Sequence, residues 1–151
     1  MITGADVAEV LGRWWYNYDE GNFDVLRSLL TDDVRFTCRS ASGACAYEEF
    51  IAADVSGLDA VMAWQTEHRL GSPYPLRHNG TNHHVIERGE TSATFGSYIA
   101  VTHMVNGMPA LLPAGIVNGR LELVGGEPRI AEMHVVLDTE DSVLFSERAA
   151  S

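Results

Sequence analysis

Apolar residues recur at Val7, Val10, Leu11, Trp14 and Tyr18, a spacing that places one apolar stripe along an amphipathic helix. Thr3 and Asp6 bracket its start as a capping box, the threonine oxygen accepting from a free backbone N–H. Gly21-Asn22 ends this helix, and Asn22 is placed to cap a short second one over Phe23–Leu30, with Leu26, Leu29 and Leu30 inward. Val34, Phe36 and Cys38 then alternate with Arg35, Thr37 and Arg39, the period of a strand with one wet face. A third helical region is predicted from about Tyr47 to Glu67, broken or bent at Gly57, because glycine inside a helix costs about 1 kcal/mol against alanine. Gly71, Pro73 and Pro75 mark an irregular connection. From residue 78 onward, turn signals at Arg88-Gly89-Glu90, Asn106-Gly107 and Gly125-Gly126 separate strand segments of roughly 10–15 residues.

Helices first and a long antiparallel meander after them describe an α+β domain over residues 1–137, followed by a tail over 138–151. Long strands twist and coil, so the sheet is expected to curve strongly around the helices as a cone with a small-molecule pocket at its mouth. Within the tail, Val143-Leu144-Phe145 either covers that mouth, covers a subunit seam, or belongs to a disordered end.

At 151 residues there is room for one core. The chain carries 10 basic residues, all arginine, against 21 acids, a net charge of −11. Such acidity argues against nucleic-acid and anionic-membrane partners. Without lysine, neither imine catalysis nor a phosphate-loop lysine is available. No apolar run approaches the ~20 residues of a membrane span, and Met1–Asp6 carries no signal-peptide pattern, so a soluble cytoplasmic protein is expected. Cys38 and Cys45 are then expected as free thiols, and no metal or cofactor motif is present.

Several residues carry the remaining chemistry. Asp19 follows Tyr18 at the end of the first helix, where an acid gains nothing from the helix dipole; it is either a solvated helix end or a functional acid. His78 opens the first meander strand, and His103 lies on the next strand with the parity of Phe95, Ile99 and Val101. His103 is either a satisfied core histidine or a second site histidine. Imidazole beside a carboxylate is the side chain best suited to moving a proton near neutral pH. Trp14, Trp15 and Trp64 are expected as core or pocket wall. Asn82 has the parity of His78 and is expected to face a ligand or satisfy its strand; His83 and His84 face opposite sides. Glu132 and His134 share a face with Ile130 and Val136.

Tyr18-Asp19-Glu20-Gly21-Asn22-Phe23, Leu29-Leu30-Thr31-Asp32-Asp33-Val34 and His78-x-x-x-Asn82 together resemble the SnoaL-like branch of the nuclear transport factor 2-like (NTF2-like) superfamily. Within it, Tyr18-Asp19, His78 after Pro75-Leu76-Arg77, and His103 are most similar to scytalone dehydratase-like proteins. The resemblance covers about Val7 to Leu137. It implies cofactor-free removal of water from a β-hydroxy ketone: Asp19 and His78 as the base, Tyr18 as donor to the carbonyl, and His103 assisting departure or fixing the substrate. It also implies a homodimer or homotrimer. The second substrate-contacting tyrosine of those proteins falls at Cys38, and of their polar pair on the penultimate strand only Asn118 has a counterpart. The expected function is therefore a lyase or isomerase acting on a small, largely apolar carbonyl compound. The alternatives are a non-catalytic binding module or a SnoaL-like polyketide cyclase.

Overall fold

The computed structural model describes residues 1–148. Chain order runs α1 (Gly4–Asp19), α2 (Phe23–Ser28), β1 (Leu30–Ser40), α3 (Glu48–Ile51), β2 (Ala53–Ser56), α4 (Leu58–Leu70), β3 (Leu76–Arg88), β4 (Ser92–Val105), β5 (Met108–Val124) and β6 (Glu127–Leu137). A short 3-10 turn follows at Phe145–Glu147. The capping box forms as expected: Thr3 Oγ1 accepts the Asp6 N–H at 3.2 Å, and the Asp6 carboxylate accepts the Thr3 N–H at 2.7 Å. The predicted stripe Val7, Val10, Leu11, Trp14 and Tyr18 is buried, joined by Trp15 and Asp19.

The six strands form one open, curved sheet in the order β2-β1-β6-β5-β4-β3. β3 to β6 make an antiparallel meander, and β1 adds to β6 in parallel. The inner face carries Phe95, Ile99, Val117, Leu121 and Met133, and α1 lies against it, packed chiefly on β3. This is the expected α+β cone with the helices inside.

Two stretches differ from the periodicity. The helix expected over Tyr47–Glu67 is divided, with Ala53–Ser56 an edge strand paired antiparallel to β1. Satisfying the free edge of β1 outweighs a weak local helical pattern. Gly57, at φ 89°, turns the chain from that edge into α4, a conformation that side chains with a Cβ avoid. Likewise α2 closes at Ser28, because the Leu29 carbonyl accepts the Ile130 N–H at 2.8 Å and draws Leu30 into the sheet.

Bulges change which residues face inward. Asn82 and His83 together oppose Ser97, with Asn82 at φ 57°. The extra residue reverses the alternation, so His78, Gly80, His83 and Val85 are the more sheltered positions while Asn82 is exposed. A second bulge at Ala131 turns Ile130 into the core while Glu132, His134 and Val136 stand together on the outer face, so of the four residues expected on one face Ile130 alone departs.

In the tail, Val143, Leu144 and Phe145 are exposed; residues 149–151 lie outside the described residues. Among the described residues no helix is long and apolar enough to cross a membrane.

The strands approach closely at Gly119, where an added Cβ would run into the Glu132 carbonyl oxygen and the Phe95 ring. Gly119→Ala is expected to cost about 1–3 kcal/mol through overpacking. Urea unfolding should show a lower midpoint with an unchanged slope.

Candidate active site

Asp19 ends α1 and is 5% exposed. Its Oδ2 accepts the backbone N–H of His78 at 2.8 Å, and its Oδ1 accepts from His78 Nδ1 at 2.6 Å. One carboxylate thus holds both the backbone and the ring of the residue near the start of β3. Because the carboxylate takes the proton-bearing Nδ1, the neutral imidazole presents an unprotonated Nε2. The ring plane is also fixed. Trp15 stacks on it at 4.8 Å with an interplanar angle of 6°, and Tyr18 meets it edge-on at 5.2 Å.

Arg69, buried on α4, supports this pair from behind. Its Nε and Nη2 donate to the Asp19 carbonyl at 3.0 and 2.8 Å, and its Nη1 donates to the Pro73 carbonyl at 3.2 Å. A cation here satisfies the free carbonyl end of α1 and complements the helix dipole. It also ties that end to the loop preceding β3. Arg69 was not singled out from the sequence, although the helical spacing of Val61, Met62, Gln65 and Arg69 puts two polar residues on a face otherwise reserved for the core.

His78 stands where two cavities adjoin. A deep chamber of about 80 Å³ is walled by Trp15, Phe36, Trp64 and Ile99, among others. An outer chamber of about 350 Å³ is bordered by Leu76, His103, Leu112 and Pro113. Tyr18, His68 and His78 line both chambers. Trp15 and Trp64 therefore stand at the pocket as expected, and His103 borders its outer part. Trp14 does not: it is 1% exposed and sealed in the core. Asn82 and Asn118 are exposed; the bulge turns Asn82 out, and Asn118 alternates with buried Val117. Their expected contact with a ligand is corrected accordingly.

The sequence matches the SnoaL-like domain over residues 3–134. The chain belongs to the SnoaL-like domain family. Among solved structures it is similar to an NTF2-like protein with a cystatin-like fold from Novosphingobium aromaticivorans, with TM-score 0.71 and 17% identity over 88% of this chain and 80% of that one. A candidate scytalone dehydratase from the same organism gives TM-score 0.69 and 14% identity over 89% of this chain and 83% of that one. ActVI-ORFA from Streptomyces coelicolor gives 0.70 and 19% over 88% and 95%. At these identities the likeness concerns the fold. No curated protein matches the sequence.

In this SnoaL-like domain the polar groups around the pocket are largely neutral. Burial holds the Tyr18 phenol well above its ordinary value, against weaker opposing effects of Ser72 and Arg69, so Tyr18 stays a hydrogen-bond donor. Burial likewise pushes the Cys38 thiol up to about 12, which leaves it protonated and unreactive as a nucleophile. His68 is sandwiched by Trp64 at 4.5 Å and Phe50 at 4.2 Å. Burial first, and the proximity of His78 and Arg69 after it, push His68 down to about 4. On the outer face, Glu132 is bound by Arg120 at 2.9 Å and by His134 at 3.3 Å, while His134 also meets Thr37 at 2.8 Å. This cluster is a surface network away from the pocket.

His68 imposes a pH dependence on stability. The unfolded chain takes up its proton near 6.5 and the folded chain only near 4, so stability falls as pH falls through that window. The thermal midpoint is expected to drop between about pH 7 and pH 5, above the carboxylate range. His68→Phe should show a smaller drop; His83, whose pKa is also lowered by burial, acts in the same direction.

Proposed function

We propose that this SnoaL-like domain is a cofactor-independent lyase or isomerase that removes the α-proton of a small, largely apolar carbonyl compound. One observation carries the reading: His78 is held by the buried Asp19 carboxylate, through ring and backbone, in the wall of a largely apolar cavity. A domain that only holds a ligand has no need of a desolvated acid whose two oxygens orient one imidazole.

In this mechanism His78 Nε2 takes the α-proton, and Asp19 stabilises the imidazolium that forms. Tyr18 donates to the carbonyl oxygen as enolate charge develops, a contribution of about 3–4 kcal/mol for such a donor. In the lyase case the enolate re-forms the carbonyl and expels the β-hydroxyl. That group leaves as water with a proton from the imidazolium, and His103, bordering the outer chamber, assists its departure or fixes the substrate. In the isomerase case the same proton returns to another carbon. The similarity to a candidate scytalone dehydratase supports the lyase case.

The test uses 3-hydroxy-1-tetralone, a β-hydroxy ketone whose loss of water yields 1-naphthol, followed by absorbance. Wild type is expected to accelerate naphthol release, and His78→Ala to lower kcat/KM roughly 10²–10⁴-fold. His78→Asn retains a donor for Asp19 but no base, so it should be equally inactive while remaining folded. Unchanged turnover in either variant would sink the assignment.

A further inference from the structure

Three cavities meet at His68. Besides the deep and outer chambers, its ring lines a surface recess of about 200 Å³ whose other walls are Glu49, Phe50, Trp64 and Glu67. Trp64 borders the recess and the deep chamber, while Phe50 borders the recess and the outer chamber. Among the described residues only His68 touches all three spaces. The stack of Phe50, His68 and Trp64, with ring centres 4.2 and 4.5 Å apart, is therefore the partition between the recess and the pocket. Its middle ring is the one that can take up a proton.

The two sides of that ring differ in charge. Toward the pocket it faces Tyr18 on α1 at 6.5 Å, Cys38 on β1, His78 on β3 and His103 on β4, with Arg69 beside it on α4. The one nearby acid on that side, Asp19, is engaged by His78. Toward the recess stand two carboxylates, Glu49 on α3 and Glu67 on α4. In the stacked position no carboxylate among the described residues acts on the ring. Burial, reinforced by His78 and Arg69 and only partly offset by the Phe50 backbone, pushes its pKa down to about 4. An imidazolium is thus disfavoured between the two rings and favoured in the recess, where it regains water and meets opposite charge. Moving there takes the middle ring out of the stack.

We propose that His68 is an acid-opened side gate: once protonated, its ring swings out of the stack toward Glu49 and Glu67 and joins the surface recess to the two inner chambers. The coupling has a definite size. A ring that titrates near 4 when stacked and near its ordinary 6.5 when solvated shifts the opening equilibrium roughly 30-fold between pH 7.5 and pH 5. The gate is independent of the reaction proposed at His78.

The experiment follows acrylamide quenching of tryptophan fluorescence in the full chain carrying Trp64→Phe, which keeps an aromatic ring in the stack. Trp14 is sealed in the core, so Trp15, in the wall of the deep chamber, reports arrival of the quencher. Fluorescence lifetimes convert the quenching slope into a rate constant. Between pH 7.5 and pH 5, which lies above the ordinary carboxylate range, that constant is expected to rise at least about twofold. Adding His68→Phe, which fills the stack with a ring that does not titrate, should leave it flat. Adding Glu49→Gln and Glu67→Gln together should cut the rise to about half or less, because the outward position then lacks its opposite charge. A constant that does not rise would overturn the proposal. So would a rise that persists with His68→Phe, as general loosening of the domain in acid would give, or one that the two glutamines leave intact.

Discussion

A carboxylate buried at the C-terminal end of a helix is unfavourable twice over, from desolvation and from the negative end of the helix dipole. Asp19 occupies that position in this protein, and the surrounding structure is arranged to satisfy it. Its two oxygens reach β3 and bind the backbone and ring of one residue, His78. The carbonyl of Asp19 is taken by Arg69. Helix α1, helix α4 and the start of β3 are therefore tied together at one point, and the pocket opens beside it. Removing one partner of such a pair leaves an uncompensated buried charge, typically several kcal/mol. The geometry is thus held by the same interactions that would serve proton transfer.

The environment of that pair is consistent in its chemistry. Burial keeps Tyr18 and Cys38 protonated and leaves His68 neutral near pH 7. Apolar walls of Phe36, Ile99, Val101 and Val135 exclude competing charge. The net charge of −11 consequently says little about the ligand. Among the acids of the described residues, Asp19 is the buried one, whereas Asp54, Asp59 and Glu20 meet arginines at the surface. Those surface pairs are worth little individually, about 0–1 kcal/mol.

Much of the site was legible because its signals are local. Tyr18-Asp19 at the end of an apolar stripe and His78 after a proline-rich loop pointed to an acid and a base before their contact was visible. Trp15 and Trp64 were legible as pocket wall, while Trp14, one position from Trp15, went to the core because adjacent residues on a helix are rotated by about 100°. Gln65, His68 and Arg69 carried weaker signals. Each sits on the inward side of α4, yet a polar residue on such a face reads equally as a helix edge until the neighbouring elements are in place. Asn82 and Asn118 failed for another reason: a period-of-two argument holds only until the first bulge, and it leaves open which alternate face of an isolated strand is buried.

The amino-acid sequence by itself determined the capping box and apolar stripe of α1, the turns of the meander, the absence of lysine and the candidacy of Asp19 and His78. These depend on residue type and on periods of 3.6 and 2, which act over a few positions. Tertiary structure alone decided that Ala53–Ser56 becomes an edge strand, that Leu30 leaves α2 for the sheet, and that bulges expose Asn82 and bury Ile130. It also decided that Arg69 meets the Asp19 carbonyl 50 residues away and that Gln65 lines the pocket. The physical reason is common to all of these. Pairing a free strand edge, satisfying a buried carbonyl and filling a core are energies of contact between distant segments, and they outweigh the smaller local preferences that a sequence pattern records.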